Sequence, residues 1–438
     1  MGSSRHSGRS KRASVSFANA IVKAVRLDCL LAAILVTTFS AGALQAQTRL
    51  ADAVLVASER DPGITAMRQQ VARRGVDIEA ARDERYPQFS LSADTSSVDA
   101  NGAGITLTVS QVLYDWGRVE GMIASASQQR VKAVSDLKMA IEELTLDVSN
   151  YYIDVEVLDL KIARTQDYLD FAQRISANAS ERAEAGLGDR GEVARAGLEV
   201  GRTQDRLQQL RSDRGLALAQ LQFLMGRAPG GVSAPPDLGF TSLYGSGNAI
   251  SSAVRMSPDF VGARAEAVAA EAGIGVAKAK RLPTIRLQAE ARGGLNGGRS
   301  RTAVGLSAGV DLNSGAFQGR QIQAARLDAA AARSNMDAIG RNLANAARTA
   351  MERIRVLRAS ETSQRNQLVQ ADAVLATYEE QFIAGQRELI DLLTTARDLY
   401  DAQMDAIDTY DDRRRAEYQA ARDLGVLGTL ILSRSRSG

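Results

Sequence analysis

Residues 86–118 read YPQFSLSADTSSVDANGAGITLTVSQVLYDWGR, and their pattern decides the fold. Pro87 stops any helix that precedes it. Phe89-Ser90-Leu91-Ser92-Ala93 then alternates apolar and polar at the period of a strand. Ile105-Thr106-Leu107-Thr108-Val109 alternates again after a polar stretch from Asp94 to Gly104. The design returns as Ile285, Leu287 and Ala289, then Gly293 to Thr302, then Val304, Leu306, Ala308 and Val310. All four candidate strands reach about nine to ten residues, the length of a tilted membrane strand, and each is apolar on one face only.

Working outward, the punctuation around these strands also occurs twice. Asp61-Pro62 is answered by Ser257-Pro258 and Tyr86-Pro87 by Leu282-Pro283, both at an offset of 196 (258−62, 283−87). Gly117 and Gly121 are answered by Gly315 and Gly319 at 198, and Ala185-Gly186 by Ala384-Gly385 and Gly226 by Gly425 at 199. Pro and Gly fix backbone geometry, so matched positions imply two copies of one structural unit. The expected division is a first repeat over 47–227, a linker over 228–248, a second repeat over 249–427 and a tail over 428–438.

Each copy carries helix, strand, loop, strand, long helix, turn and returning helix. The first helix is expected from about Leu50 to Arg85, interrupted at Asp61-Pro62. After Gly117 the period changes: Val134, Leu137, Ile141, Leu144, Val148, Tyr151, Val155, Leu158 and Ile162 alternate spacings of three and four, a heptad seam. The register continues through Leu169, Ala172, Ser176 and Ala179. With no Pro between Pro87 and Pro229, this helix is free to run to Gly186, spanning roughly 100 Å. The second copy repeats the length from Gly315 to Gly385 with a looser, Ala-rich seam. The return helices are expected from Glu192 to about Gly226 and from Glu388 to about Gly425.

The N-terminus reads as an export signal over 1–46. Six basic residues precede an apolar run from Cys29 to Leu44, and Gln45-Ala46 closes it, with cleavage expected after Ala46 and Ala43 as the second choice. The segment holds six of the 54 Lys+Arg and one of the 51 Asp+Glu, leaving 48 against 50. The mature chain is thus about neutral, which excludes a nucleic-acid partner. It also loses Cys29 and His6, the chain's single cysteine and single histidine. Thiol or imidazole catalysis, a Cys/His zinc site and a disulfide framework go with them. No phosphate-cradling loop appears, so no catalytic residue, cofactor or metal is expected and the chain is not read as an enzyme.

Four membrane-length strands do not close a barrel, and an open edge in lipid leaves backbone groups unsatisfied. Other copies of the chain must complete the ring; three give twelve strands, and two also close a narrow one. Tyr86, Tyr114 and Trp116 fall at the strand ends nearest the helices, where an interfacial aromatic belt lies, with packing at a strand–helix junction as the plainer alternative for Trp116. Paired strands in duplicate disfavour a periplasmic adaptor and a soluble coiled coil.

This arrangement resembles the TolC family of outer-membrane exit ducts. The resemblance rests on Leu113-Tyr114-Asp115-Trp116-Gly117-Arg118 closing the second strand and on Ala384-Gly385-Gln386-Arg387-Glu388-Leu389-Ile390-Asp391-Leu392-Leu393 at a helical turn, and covers residues 50 to 425. It implies a mainly α protein with membrane β structure: a homotrimer whose chains each give four strands to a twelve-stranded β-barrel, continued by a long α-helical coiled-coil barrel. It implies the outer membrane of a Gram-negative envelope, reaching into the periplasm, with outer-membrane lipid, a periplasmic adaptor and an inner-membrane transporter as partners. Type I protein secretion is the expected use, with small-molecule or drug efflux as the alternative.

The resemblance also implies that the two helical turns constrict the closed duct, open like an iris and dock the adaptor. The site residues are then Gly186, Asp189 and Arg190 at the first turn and Gly385, Arg387 and Asp391 at the second. A second acidic position of the family is Thr394 here, so a double acidic ring is not expected. Arg387 is expected to pair with Asp189 from the neighbouring turn, the plainer alternative being two solvated charges.

Overall fold

The computed structural model describes residues 48–95, 103–186, 188–229, 231–294, 300–309 and 319–435. The expected signal, Gly315, Leu187 and much of the strand tips lie outside them.

The matched punctuation marks equivalent geometry. Helix α1 spans Leu50–Arg60 and α2 Pro62–Asp83, separated because Asp61 is extended and accepts a hydrogen bond from the Ile64 N–H at 2.8 Å. In the second copy α6 (Gly247–Met256) gives way to α7 (Pro258–Ala279), where Ser257 accepts from the Phe260 N–H at 3.3 Å. Both follow the rule of a polar N-cap followed by Pro in the first turn. The long helix α3 covers Arg118–Glu184 and its counterpart α8 covers Arg320–Ile383. Each starts at a left-handed glycine, Gly117 at φ +81° and Gly319 at φ +65°. Gly319 therefore takes the role of Gly117, not that of Gly121 as the sequence offset had it; Gly121 sits inside α3, where an added Cβ would stand 2.8 Å from Val276. The returns are α4 (Arg190–Met225) and α9 (Leu389–Asp423).

Toward the strands, α2, α3, α7 and α8 lie side by side in that order; toward the turns the order is α4, α3, α9, α8. Because α3 is flanked on both sides throughout, its burial does not follow the single seam read from the sequence. Val148, Val155, Leu169, Ala172 and Ala179 are buried, but Val134 is 47% exposed and Leu137, Ile141, Leu144, Tyr151, Leu158 and Ile162 are half-buried. The deep line runs one position on, through Ser135, Glu142 and Ser149. Their neighbours tolerate this because the hydroxyls are satisfied locally, Ser149 donating to the Thr145 carbonyl at 2.6 Å and Thr145 to Ile141 at 2.7 Å.

At mid-length the chain forms a waist whose core includes Tyr152, Ile153, Leu221, Phe240, Ile354 and Tyr418. The stretch expected to join the repeats, 228–248, packs against it. Buried Arg414 donates to the carbonyls of Pro235 and Pro236, and the Tyr418 hydroxyl donates to Pro236 at 2.7 Å. The stretch also contains α5 (Phe240–Tyr244) and the start of α6, so helix resumes before residue 249. The expected tail is likewise mostly a helix, α10 (Leu427–Ser435), whose Leu430 and Ile431 are buried and whose Gly428 N–H donates to the buried Glu142 at 3.1 Å.

The strands β1 (Gln88–Thr95), β2 (Ala103–Tyr114), β3 (Thr284–Gly294) and β4 (Arg301–Gly309) form one antiparallel sheet in chain order. The β2–β3 pairing joins the two copies, with a register shift between Val112 and Tyr114. Register sorts the faces cleanly. Phe89, Leu91, Ile105, Leu107, Val109, Ile285, Leu287, Val304 and Leu306 share one face, while Ser90, Ser92, Thr106, Thr108, Gln288, Glu290, Arg292 and Arg301 share the other. Among the described residues nothing covers the apolar face: Phe89 is 73% and Val304 75% exposed. Among the described residues β1 and β4 are the two edges of this sheet.

Candidate functional site

Two places carry the expected site residues: the turns at the far ends of the long helices, and the collar where helices become strands.

At the first turn α3 ends at Glu184 with Ala185 as its C-cap, and Gly186 turns the chain at φ +72°. Asp189 then caps α4, accepting from the N–H of Glu192 at 3.1 Å and from that of Gly191. Arg190 opens α4 and is exposed. At the second turn Gly385 has φ +75°, its N–H bonds Phe382 O at 3.0 Å, and the Gln386 N–H reaches back to Gln381 O at 2.8 Å. This backbone closure satisfies the last carbonyls of α8. Glu388, the N-cap of α9, makes no side-chain cap.

Arg387 works locally. Its guanidinium donates to Gln381 Oε1 at 3.2 and 3.1 Å, lies 3.9 Å from the Tyr378 ring centroid and reaches Asp391 at 3.5 Å. The pair expected with Asp189 is not made within the chain, because both partners are engaged on their own turns. Thr394 donates to the Ile390 carbonyl at 2.7 Å, as an ordinary helix-surface threonine does.

Other residues join the two turns. Arg182 donates to the Phe382 carbonyl at 3.1 Å and sits over the Phe382 ring, and Arg174 pairs with Glu379 at 3.2 Å. Phe382 is buried with Phe171, Ile175, Ala179, Leu389 and Leu392 in a core that belongs to both hairpins. Further along, Glu199 of α4 accepts from the Tyr168 hydroxyl at 2.8 Å and from Arg397 of α9. Tyr168 stacks on Tyr400 at 4.8 Å, and Tyr400 meets Thr165 at 3.0 Å. Burial, then the hydrogen bond to Glu199, holds the Tyr168 hydroxyl well above its ordinary pKa, and the hydrogen bond to Glu199 raises that of Arg397. Sequence reasoning missed this group. Only Phe382 had a signal, an apolar residue three before a turn glycine; the rest are linked across 31 to 235 positions with no local pattern.

At the collar Tyr86, Tyr114 and Trp116 gather at one end of the sheet, 65%, 51% and 46% exposed. Tyr114 and Trp116 meet edge-on at 4.8 Å. Asp115 caps α3, accepting from the Gly117 and Val119 N–H groups at 3.1 and 2.8 Å. Between them Trp116 adopts φ +59°, rare for a bulky residue, and its indole donates to the Pro283 carbonyl at 3.1 Å. Trp116 thus ties the collar of the first copy to that of the second. Arg118 completes the junction by pairing with Glu84 at 2.6 Å.

Residues 53–227 and 249–426 match the family model described as Outer membrane efflux protein. The chain is 28% identical over 425 residues to the pyoverdine export outer membrane protein OpmQ of Pseudomonas aeruginosa, covering 92% of this chain and 85% of that protein. It is 22% identical over 382 residues to the outer membrane efflux protein BepC of Brucella suis, covering 84% and 83%. Its fold is that of the outer membrane protein VceC of Vibrio cholerae, with a TM-score of 0.72 and 16% identity over 86% of this chain and 96% of that one. Family and fold are those of transport channels in the outer membrane, not of enzymes. Both halves of the duplication fall under one description, and the chain belongs to the outer membrane efflux protein family.

Proposed function

We propose that three copies of this chain form a passive exit duct, handing solute from an inner-membrane transporter and a periplasmic adaptor to the exterior. The observation that carries this is the sheet: its apolar face is exposed, its other face is polar, and β1 and β4 are unpaired edges. In lipid such edges need partners, and β4 of one copy pairing with β1 of the next supplies them cyclically, giving twelve strands with a polar lumen. The helices repeat the argument. Leu198, Leu216 and Phe223 on α4 and Leu327, Val356 and Val369 on α8 are exposed on the two outer helices of the chain. A neighbouring copy covers them.

In this duct residues 1–46 are removed on export, the repeats 47–227 and 249–427 build barrel and hairpins, and Tyr86, Tyr114 and Trp116 mark the inner membrane interface. Gly186, Asp189, Arg190, Gly385, Arg387 and Asp391 form the periplasmic end that gates and receives the adaptor. As to cargo, no described residue supports the protein-secretion reading, whereas the pyoverdine-export relative, matched over 92% of the chain, favours a small solute. Detergent-extracted protein should run as a trimer in native mass measurement and conduct in planar bilayers. A monomer without conductance sinks the proposal, and the transporter that co-purifies after cross-linking identifies the cargo class.

A further inference from the structure

We propose that the collar of the second repeat seats the phosphate headgroup of an anionic phospholipid of the periplasmic leaflet, an inference that rests on the duct reading above. The two collars differ in their ion pairs. In the first copy three cations each meet a carboxylate: Arg82 pairs with Glu79 at 2.8 Å, Arg85 with Glu120 at 3.5 Å and Arg118 with Glu84 at 2.6 Å. At the offset of 196 (278−82, 281−85), Arg82 and Arg85 are answered by Lys278 and Arg281, and Glu79 and Glu84 by Gly275 and Lys280. With Gly319 in the role of Gly117, Arg118 is answered by Arg320 and Glu120 by Ile322. Every cation returns and every carboxylate is lost. Among the described residues Lys278, Lys280, Arg281 and Arg320 have no ion-pair partner.

Geometry separates these four. Below the collar one cavity is lined from α2, α3, α7 and α8 together, by Glu84, Met122, Gly273, Lys280 and Gln321 among others, so that side of the layer is concave and faces the lumen of the ring. At about 100° per residue, Lys278 lies on the opposite face of α7 from Gly273 and Lys280, and Arg320 is turned away from Gln321. Both are exposed, as is Arg281. A Cβ at Gly319 would stand 3.9 Å from Arg281 Nη1, so that guanidinium lies against the start of α8, beside Arg320. Trp116 donates to the Pro283 carbonyl two residues beyond Arg281, and Leu282 between them is 41% exposed. The outward cations therefore stand at the level of the interfacial aromatics, where lipid headgroups lie. By sequence, 272–283 and 310–327 hold five cations, Arg326 being the fifth, and one carboxylate, Asp311, which lies outside the described residues. Pairing one cation with Asp311 and another with Asp83 on α2 of a neighbouring copy still leaves an excess. Guanidinium groups bind phosphate through charge-assisted hydrogen bonds, and basic clusters at a membrane surface retain anionic headgroups. The apolar sheet face rising from the collar takes the acyl chains.

Delipidated trimers, immobilised in neutral detergent, are titrated with radiolabelled phosphatidylglycerol or zwitterionic phosphatidylcholine, and the retained lipid is counted. One phosphatidylglycerol per chain is expected, held about tenfold more tightly than phosphatidylcholine. Lys278→Gln, Arg281→Gln and Arg320→Gln together should erase the difference, whereas Lys280→Gln on the concave side and Arg82→Gln in the paired collar should leave it. Should the triple substitution fail to assemble, raising ionic strength to about 1 M must erase the difference in the unaltered protein, the Debye length there being about 3 Å. Equal affinity for the two lipids, or a difference insensitive to both treatments, overturns the seat and leaves the duct standing. Displacement of phosphatidylglycerol by an equal concentration of inorganic phosphate, or its loss with Lys280→Gln alone, also overturns the seat, the site then being one for free anions. A protein that yields only monomers overturns the duct, and the seat with it.

Discussion

At the first turn a carboxylate closes the helix: Asp189 accepts the N–H groups that begin α4. At the second turn no side chain does so, and closure falls to the backbone of 381–386, with Arg387 braced between Gln381, Tyr378 and Asp391. The copies have equivalent lengths and equivalent glycines, so the difference is one of chemistry. The start of α4 is held by contacts between adjacent residues that any movement of the hairpin carries along, while Arg182 ties the end of α3 to Phe382. The second holds itself through a long, partly exposed cation that is able to exchange partners. If the turns gate the proposed duct, this comparison assigns the moving part to the second turn and the rigid part to the first.

The comparison breaks most severely if the shared core under both turns is removed. Phe382→Ala should lower stability by about 3–5 kcal/mol, read by denaturant unfolding of the detergent-solubilised protein, because a fully buried ring is lost. Wild-type stability would mean that the hairpins are not coupled through Phe382. Glu199→Ala removes the acceptor shared by Tyr168 and Arg397 and should cost about 1–3 kcal/mol, with faster amide exchange in both α4 and α9. Exchange confined to α4 would show that the link to α9 carries nothing.

Gly186→Val and Gly385→Val each force a branched residue to positive φ, at about 1–2 kcal/mol of local strain, and a Cβ at either position meets no other described side chain within 4 Å. Trimers should survive both, while export is abolished by Gly385→Val and only reduced by Gly186→Val. Equal export defects would erase the asymmetry. Asp189→Ala should cost about 1 kcal/mol, visible as faster exchange at residues 191–193 with unchanged single-channel conductance. Arg387→Glu sharpens the contrast from the other side. Its stability change should stay within about 1 kcal/mol, yet conductance in planar bilayers should rise as the brace reverses sign. Unchanged conductance would move the gate elsewhere.

Much of this was legible in residue order, because Pro, Gly and N-cap residues act on their own backbone. Asp61-Pro62, Ser257-Pro258, Gly186 and Gly385 carry in the structure the geometry their types require. The strands were legible too, since alternation belongs to one strand at a time. The buried face of α3 was not. A heptad pattern assumes one partner, whereas α3 has neighbours on both sides, and small hydroxyl residues fill the closest approach because their own helix satisfies them. Nor were the links Glu199–Arg397, Arg182–Phe382 and Trp116–Pro283 foreseeable, since each joins distant positions whose local sequence is indifferent to the other.

Trp116 is the chain's single tryptophan, and its indole is bound to a carbonyl of the other repeat in a half-exposed collar. The protein's intrinsic fluorescence above 295 nm excitation therefore comes from one ring per chain, seated where the two halves meet. Emission wavelength and quenching become a direct optical gauge of that seam during insertion or opening, without any label.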